Sequence, residues 1–153
     1  MLVNQMLSMK GASDKAGIEA QTIVTIAPEA TLADAAQLLA EKRIGAVVVS
    51  SDGVRPEGIL SERDIVRQLG RNGIDILKMP IHEVMTKAVQ TCAMGEDALN
   101  VLERMTAGRF RHMPVVDEDG KMLGVISIGD AVSGRLKELA AEKEALTGMI
   151  MGS

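Results

Sequence analysis

The stretch Gly58-Ile59-Leu60-Ser61-Glu62-Arg63-Asp64 returns later in the chain as Gly124-Val125-Ile126-Ser127-Ile128-Gly129-Asp130. The glycine, the serine and the aspartate each recur at one constant spacing, which we call the repeat offset. Self-similarity at a fixed period is the sequence signature of a repeated structural unit. The chain of 153 residues is therefore predicted to contain an internal duplication of one supersecondary unit.

Each copy of this stretch is a short apolar run, then a serine, then an aspartate at the third position after it. This order is typical of a buried strand that passes into a helix, with the serine as N-cap. The helix dipole favours a carboxylate in the first turn. Ser61 and Ser127 are predicted N-caps, each contributing about 1 kcal/mol. Capping is one explanation of Asp64 and Asp130, and ligand contact is the other.

Apolar periodicity around the first copy predicts the order β-α-β-β-α. The predicted elements are strand 23–26, a helix capped by Thr31, strands 45–49 and 58–60 around a turn at Asp52-Gly53, and a helix from Arg63 to about Leu69 stopped by Gly70 and Gly73. Residues 70–83 are predicted to connect this unit to the second one.

The second copy repeats the same order. Its predicted elements are strand 89–91, a helix containing Ala98, Val101, Leu102 and Met105, strands 113–116 and 122–126 around a turn at 118–120, and a helix from Asp130. The fold class is α/β (α+β), with repeat one at 17–75, repeat two at 80–140 and a C-terminal helical extension at 141–153. Residues 1–20 are predicted to form one or two helical turns and then a loop.

The last helix is predicted to outlast its counterpart in repeat one. Its apolar residues lie along one face, and they are Val132, Leu136, Leu139, Ala140 and Leu146. An exposed apolar stripe needs a cover, and a second copy of the chain is the simplest one. We therefore predict a homodimer.

Composition excludes several classes of function. A net charge of −4 and a single aromatic residue, Phe110, argue against a nucleic-acid partner. No apolar stretch approaches the roughly 18 residues of a membrane span, and residues 1–10 lack a secretory pattern, so a cytoplasmic location is expected. The single Cys92 cannot form an internal disulfide, and no Cys or His set has metal-ligand spacing, so no metal is predicted.

The pattern resembles the cystathionine-β-synthase (CBS) domain family, as a stand-alone tandem pair. The motifs that carry the resemblance are Thr25-x-x-Pro28-x-x-Thr31-Leu32, Glu41-Lys42-Arg43-Ile44-Gly45-Ala46, Ser61-Glu62-Arg63-Asp64-Ile65-Val66-Arg67, Val84-Met85-Thr86 and Arg111-His112-Met113-Pro114-Val115-Val116-Asp117. The resemblance covers residues 17–140. It implies a pseudo-two-fold pair packed through its sheets, with clefts for AMP, ADP, ATP, NAD or other adenosyl ligands. It implies regulation of an unknown target protein, no catalysis and no redox cofactor.

The chemistry of the candidate site follows from the same residues. An ionised Asp64 or Asp130 can accept hydrogen bonds from both hydroxyls of a ribose, and Ser61 and Ser127 can reach the sugar or a phosphate. Backbone groups of two strands are candidates for the adenine edge, near Ala46 and Val47 and near His112 and Met113. The candidate site also includes Thr25, Thr91 and Pro114.

Positive charge is divided unequally between the repeats. Arg111 and His112 of repeat two occupy positions that hold Gly45 and Ala46 in repeat one. Conversely, Arg63 of repeat one corresponds to a glycine in repeat two. We expect the Ser127 and Asp130 site to be occupied, with Arg111, His112 and Arg63 on the phosphate, and the Asp64 site to be weak or empty.

Two alternative functions are a structural scaffold and an enzyme. In the first, the chain is a structural scaffold with vestigial nucleotide clefts, and its C-terminal helix joins subunits or a host enzyme. This function predicts that truncation before Lys137 abolishes oligomerisation. An enzyme like inosine monophosphate dehydrogenase, which carries a similar pair, needs a barrel of about 250 residues that the chain is too short to contain.

Overall fold

The computed structural model describes residues 1–13 and 23–151. The elements in chain order are α1 (Val3–Ser13), β1 (Thr25–Ile26), α2 (Leu32–Lys42), β2 (Ala46–Val49), β3 (Gly58–Ser61), α3 (Glu62–Asn72), α4 (Ala98–Gly108), β4 (His112–Val116), β5 (Met122–Ser127) and α5 (Ile128–Met151). Two short 3₁₀ helices, Ile74–Lys78 and Ile81–Glu83, follow α3. The predicted mixed class of helix and strand in two repeats is confirmed.

Repeat one contains the predicted β-α-β-β-α order, from β1 to α3. Its sheet has the strand order β1-β2-β3, with β1 parallel to β2 and β2 antiparallel to β3. Thr31 caps α2 in a reciprocal box with Asp34, as its position before the periodic apolar run predicts. The core packed between this sheet and its helices consists of Leu32, Ala35, Leu39, Val47, Val49, Leu60, Ile65, Ile76 and Ile81.

The predicted turn between β2 and β3 is built around one carboxylate. Asp52 Oδ1 accepts hydrogen bonds from the backbone N–H groups of Val54 at 2.8 Å and Arg55 at 3.0 Å, and from the Ser50 hydroxyl at 2.9 Å. These bonds, with those from Arg55 and Val54 strongest, lower the pKa of Asp52 to about 2. Gly53 has φ +70°, a conformation that favours glycine.

The predicted bounds of α3 are wrong at both ends. The helix begins at Glu62 and passes through Gly70 to Asn72. A glycine inside a helix costs only about 1 kcal/mol, which is too little to end a helix held by the buried Ile65. The helix ends at Gly73, the second of the two predicted stops, whose φ is +79° and whose N–H donates to the Leu69 carbonyl.

Repeat two contains α4, capped by Asp97, the two-stranded sheet β4-β5, and α5. The predicted strand at 89–91 is wrong, since in this described part of the chain a single parallel bridge between Cys92 and Val115 takes its place. The Thr91 carbonyl accepts from Arg104 Nη2 at 2.8 Å and so does not extend the ladder. The core of this repeat consists of Val3, Met6, Leu7, Cys92, Ala98, Val101, Met105, Met113, Val115, Ile126 and Ala131.

A short segment after α3 completes repeat one. We call residues 79–83 the first closing segment. The Met79 carbonyl accepts from the Leu32 N–H at 3.0 Å, and the Ile81 N–H donates to the Ala30 carbonyl at 2.8 Å. These bonds satisfy backbone groups at the start of α2, so part of the predicted connection between the repeats belongs structurally to repeat one.

The start of the chain completes repeat two in the same way. We call residues 1–5 the second closing segment. The Met1 carbonyl accepts from the Ala98 N–H at 2.8 Å, and the Val3 N–H donates to the Glu96 carbonyl at 2.8 Å. Each bonded position at the start of α4 is separated by the repeat offset from its counterpart at the start of α2. The two closing segments are therefore structural equivalents.

The helix α1, which begins within the second closing segment, is longer than predicted. One or two turns were expected, and α1 has 11 residues. Its apolar residues Met6 and Leu7 are buried in the core of repeat two, and this packing stabilises the helix. The first residues of the predicted loop are helical instead, up to Ser13. The rest of the predicted loop lies outside the described residues.

The described residues divide into two compact units. One contains residues 1–13, 91–116 and 124–151, and the other contains residues 23–90 and 117–123. The tip of the β4-β5 connection therefore groups with repeat one, where the Met122 N–H donates to the Val54 carbonyl at 2.8 Å.

Candidate functional site

The turn from β3 into α3 contains the first pair of candidate ribose residues. Asp64 Oδ2 accepts from the Ser61 N–H at 2.9 Å and from the Ser61 hydroxyl at 3.0 Å, and the Asp64 N–H donates to Ser61 Oγ at 3.2 Å. Both residues are half-buried. Asp64 Oδ1 lies 3.6 Å from Arg67 Nη1. The predicted capping box is thus present, and it engages one oxygen of the carboxylate.

The turn from β5 into α5 repeats this arrangement. Asp130 Oδ2 accepts from the Ser127 N–H at 2.9 Å, and the Asp130 N–H donates to Ser127 Oγ at 3.1 Å. Both residues are again half-buried. A carboxylate offers about four acceptor sites on its two oxygens. Capping through Oδ2 and contact with a sugar diol are therefore chemically compatible at both turns.

One backbone hydrogen bond ties each turn to the strand beside it. The Glu62 N–H donates to the Gly45 carbonyl at 2.9 Å, and the Ile128 N–H donates to the Arg111 carbonyl at 2.7 Å. Donor and acceptor of the second bond are each separated by the repeat offset from those of the first. In both repeats, the strand predicted to meet the adenine edge therefore starts next to the helix that carries the aspartate.

The strand residues predicted for the adenine edge follow directly after the residue whose carbonyl accepts this hydrogen bond. In repeat one, Ala46 pairs with Ser61 and is half-buried, Val47 pairs with Leu60 and is buried, and Thr25 is half-buried on β1. The structure therefore brings Ala46 next to the capping box. Val47 lies in the core cluster of this repeat.

In repeat two, the corresponding strand is β4. His112 is half-buried at its start, whereas Met113 and Pro114 are buried. The Pro114 carbonyl accepts from the Cys92 N–H at 3.0 Å. Thr91 is half-buried next to that bridge.

The predicted cations lie in different compact units. Arg63 is exposed in the first turn of α3, where it lines a shallow open depression together with Glu62, Val66 and Arg67. Arg111 is exposed immediately before β4, next to His112. The predicted convergence of these side chains on one phosphate region stays a prediction.

Sequence reasoning missed two arginines that shape the site residues. Arg67 faces Asp64 at the i+3 spacing that could have indicated it. Arg104 pairs with Glu96 at 3.1 Å and donates to the Thr91 carbonyl at 2.8 Å. Its sequence signal was weak, because an arginine on an amphipathic helix is usually solvated.

The described residues offer little other reactive chemistry. Burial raises the pKa of the Cys92 thiol to about 12, with a smaller contribution from Glu96, so the thiol is protonated at neutral pH. In residues 1–13 and 23–151, no three His, Cys, Asp or Glu residues are grouped to hold a metal ion. No helix in the described part of the chain combines the length and apolar character needed to cross a membrane.

Comparison with known proteins identifies the family. The CBS domain model matches residues 18–71 and 81–136, and the chain belongs to the CBS domain family. The fold is similar to the CBS-domain protein ATU1752 from Agrobacterium tumefaciens, with a TM-score of 0.77 and 36% identity over 88% of this chain and 99% of that one.

Two further relatives are more distant. The CBS domain protein PAE2072 from Pyrobaculum aerophilum, solved in complex with AMP, has a TM-score of 0.69 and 24% identity, and the match covers 85% of this chain and 89% of that one. An uncharacterised 17.7 kDa protein from Acidianus ambivalens is 33% identical over 71% of this chain. The chain spans 64% of that relative's length and 24% of the length of a CBS domain-containing protein from Arabidopsis thaliana.

Proposed function

We propose that this chain is a non-catalytic regulatory module that binds an adenine nucleotide and signals occupancy to a target protein. The observation that supports this most is the pair of half-buried carboxylates, Asp64 and Asp130, each fixed by a capping box at a strand-to-helix turn. A carboxylate with a fixed orientation is the group that a ribose diol requires, since charged hydrogen bonds contribute about 1.5–3 kcal/mol each.

The proposed site uses repeat two as its main contact. Ser127 and Asp130 bind the ribose, and the backbone of His112 and Met113 binds the adenine edge. Arg111 and the side chain of His112 neutralise the phosphate. Aliphatic side chains enclose the purine, so the pocket needs no aromatic residue.

The asymmetry between the repeats supports this ranking. Asp64 Oδ1 faces the Arg67 guanidinium, which competes with a ribose for that oxygen. Repeat one also has Gly45 and Ala46 in place of the two cationic residues at the start of β4. The Asp64 site is therefore proposed to be weak or empty.

The ligand class follows from the family and from one relative. The Pyrobaculum aerophilum protein was solved with AMP, and we extend that chemistry to this chain as part of the proposal. AMP, ADP, ATP and NAD share the adenosine that the proposed site contacts. A ligand that prefers one arrangement of the repeats shifts the population by its differential affinity, which is how binding is proposed to reach the target.

The test is calorimetric titration of the full chain with AMP, ADP, ATP, NAD and S-adenosylmethionine. The Asp130→Asn variant keeps an oxygen for the Ser127 N–H but loses the charge. We expect its affinity for the preferred nucleotide to fall roughly 10- to 150-fold, the equivalent of about 1.5–3 kcal/mol. The matched Asp64→Asn variant is expected to change affinity by less than about threefold.

Circular dichroism of both variants checks that the folds are intact. Equal losses of affinity in the two variants contradict the ranking of the sites. Absence of binding to every ligand in the wild-type chain contradicts the proposed function itself. The scaffold with vestigial clefts is then the better description.

One observation favours the scaffold as the second candidate. α5 has 24 residues, and every residue from 141 to 150 is exposed. The chain is proposed to form a homodimer under either function. Under the scaffold alone, truncation before Lys137 abolishes oligomerisation while no nucleotide shifts the melting temperature, and both can be measured on one preparation.

A further inference from the structure

We propose that the ion pair between Glu96 and Arg104 is a positioning device that holds Thr91 in place for the nucleotide in repeat two. We call this ion pair the edge clamp. The inference rests on the proposed function, and it adds to the site a part that repeat one does not have. Thr91, the edge clamp and the proposed nucleotide contacts of repeat two all lie in one compact unit.

One edge of the short extended segment around Cys92 is bonded to β4. The Cys92 N–H donates to the Pro114 carbonyl at 3.0 Å, and the Cys92 carbonyl accepts from the Val116 N–H at 2.9 Å. When a residue pairs with a neighbouring strand in this way, the carbonyl before it and the N–H after it point to the opposite edge. The Thr91 carbonyl and the Ala93 N–H therefore point away from β4.

The edge clamp bonds both of these groups. Arg104 Nη2 donates to the Thr91 carbonyl at 2.8 Å, and the Ala93 N–H donates to Glu96 Oε2 at 2.6 Å. The two side chains of the clamp are joined by Arg104 Nη1 and Glu96 Oε1 at 3.1 Å. The clamp thus offers one donor and one acceptor to this edge, as a single residue of a neighbouring strand would. The segment is bonded on one edge by main chain and on the other by the clamp.

Repeat one forms the same turn without the clamp. Before α2, the turn is closed by a hydrogen bond of 3.1 Å from the Ala30 N–H to the Ala27 carbonyl, and the equivalent bond before α4 is 3.2 Å long. The positions of Glu96 and Arg104 are held in repeat one by Ala30 and Leu38. Both of these residues pack against the core of repeat one. The turn before the helix therefore requires neither the carboxylate nor the guanidinium.

The gain from the clamp lies in position rather than in stability. Its side chains are half-buried, with exposed fractions of 30% for Arg104 and 27% for Glu96. Replacing an ion pair that is withdrawn from water by apolar residues of similar volume is often neutral or stabilising. Repeat one shows that apolar residues fit these positions. A network whose polar groups are bonded to one another does, however, hold its members in one arrangement.

The group that the clamp positions for the nucleotide is the Thr91 side chain. Cys92 lies opposite Val115 in the parallel bridge, so Thr91 lies beside Pro114, next to the strand residues proposed to bind the adenine edge. Successive side chains of an extended segment point to opposite faces, and Cys92 is buried in the core. The half-buried Thr91 therefore presents its hydroxyl on the face away from this core. A hydroxyl both donates and accepts, which suits the amino group and the ring nitrogens of adenine.

The first test gives the clamp positions the residues of repeat one, in the double variant Glu96→Ala/Arg104→Leu. The full chain is titrated with AMP, ADP, ATP, NAD and S-adenosylmethionine. We expect affinity for the tightest of these ligands to fall roughly tenfold, while the urea midpoint stays close to the wild-type value. The control is Arg135→Leu, which removes a half-buried ion pair of 3.2 Å to Glu138 in the same unit and should leave affinity unchanged. A double variant with wild-type affinity overturns the proposal.

A double-mutant cycle tests whether the clamp acts through Thr91. The substitution Thr91→Val keeps the shape of the side chain and removes its hydroxyl, so it should lower affinity by a similar factor. Adding the clamp substitutions to Thr91→Val should cost little further affinity, because the group that they position is already absent. Losses that simply multiply would show that the clamp acts independently of Thr91 and overturn the proposal. Wild-type affinity in Thr91→Val has the same consequence.

Amide hydrogen exchange of the ligand-free chain tests the clamp without any nucleotide. Ala93 is an exposed residue, so its N–H depends on the bond to Glu96 for protection. The double variant should speed exchange at Ala93 and leave the Cys92 N–H, which is bonded to β4, close to its wild-type rate. Equal exchange at Ala93 in both chains overturns the clamp.

The titrations and the exchange measurement together separate the two proposals. A wild-type chain that binds none of these ligands contradicts the proposed function, and the role of Thr91 with it. A wild-type chain that binds nucleotide, with a double variant that binds equally well, contradicts the edge clamp alone. Faster exchange at Ala93 together with weaker binding in the double variant supports both.

Discussion

Repeat one and repeat two share their backbone hydrogen bonds but differ in the side chains at their functional positions. The bond from the Ile44 N–H to the Leu39 carbonyl is 3.1 Å long, and so is the equivalent bond in repeat two, from Phe110 to Met105. The two left-handed arginines, Arg43 with φ 54° and Arg109 with φ 56°, are separated by the repeat offset as well. The duplication has thus kept the main-chain framework in detail.

The differences are concentrated at two places. Around the proposed phosphate site, Arg111 and His112 replace Gly45 and Ala46. In the last helix, the positions of Gly70 and Gly73 at the end of α3 hold Leu136 and Leu139 in α5. Glycine disfavours a helix and leucine favours it. Repeat two therefore carries both the proposed ligand charge and the extended helix, while repeat one keeps the simpler form of the unit.

The largest effect is expected from truncating the two equivalent core residues. Leu60 and Ile126 are both fully buried, one in each core, at positions related by the repeat offset. Leu60→Ala and Ile126→Ala should each destabilise the chain by about 2–5 kcal/mol, because each leaves a cavity. Scanning calorimetry measures the effect.

The shape of the same transitions tests whether the repeats unfold together. A single transition lowered equally by both variants indicates one cooperative unit. Two transitions, of which each variant lowers only one, indicate that the repeats are independent. A variant that lowers neither contradicts the assignment of its residue to a core.

An intermediate effect is expected from removing the equivalent helix caps of α2 and α4. Thr31→Ala and Asp97→Ala should each cost about 1 kcal/mol. Thr31→Ala should cost slightly more, because Thr31 forms a reciprocal box with Asp34 and Asp97 makes one cap bond. Urea denaturation at pH 7 measures both, and a larger loss for Asp97→Ala contradicts the difference.

The pH dependence of stability provides a second test of the Thr31 cap. Hydrogen bonds from the Thr31 backbone and then from its side chain hold the pKa of Asp34 below its ordinary 3.8. A carboxylate whose pKa is lowered by folding contributes fully to the stability of the fold above its unfolded-state pKa. That contribution disappears as the pH falls through its folded-state pKa. The penalty of Thr31→Ala should therefore shrink when urea denaturation is repeated at pH 3.

The smallest effect is expected at the left-handed arginines, and it should be stabilising. The left-handed conformation costs a residue other than glycine roughly 1–2 kcal/mol. Substitution by glycine removes this cost, but it also adds about 0.5–1 kcal/mol of backbone entropy lost on folding. Arg43→Gly and Arg109→Gly should thus each stabilise by about 0.5 kcal/mol. Melting temperatures measure it, and opposite signs for the two variants would show that their surroundings differ.

Features that depend on contiguous residues could be predicted from the sequence. The capping boxes at Ser61 and Ser127 are confirmed because their chemistry lies within one short stretch of chain. The helices α2 and α4 follow from apolar periodicity in the same way. The recurrence of one motif was enough to predict two repeats, because equal local sequences form equal local structures.

Features that depend on main-chain pairing over a distance could not be predicted. The bonds of the two closing segments join backbone groups, and backbone groups carry no sequence signature. The absence of the strand at 89–91 was also unpredictable, because the Thr91 carbonyl is bonded to the side chain of Arg104, which lies elsewhere in the chain. The proposed roles of Arg63, Arg111 and His112 stay predictions, because the first lies in one compact unit and the others in the second.

The position of the closing segments has a consequence for the order in which the chain folds. The stretch of chain between Met1 and its partner Ala98 is about twice as long as the stretch between Leu32 and Met79. Each doubling of a loop costs only about 0.6 kcal/mol of closure entropy, so both pairings are feasible at equilibrium. Contacts between distant residues nevertheless form slowly. Once Thr86 has emerged from the ribosome, the first closing segment can already pair with α2, whereas the bonds between the second closing segment and α4 join residues that lie on either side of repeat one in the chain.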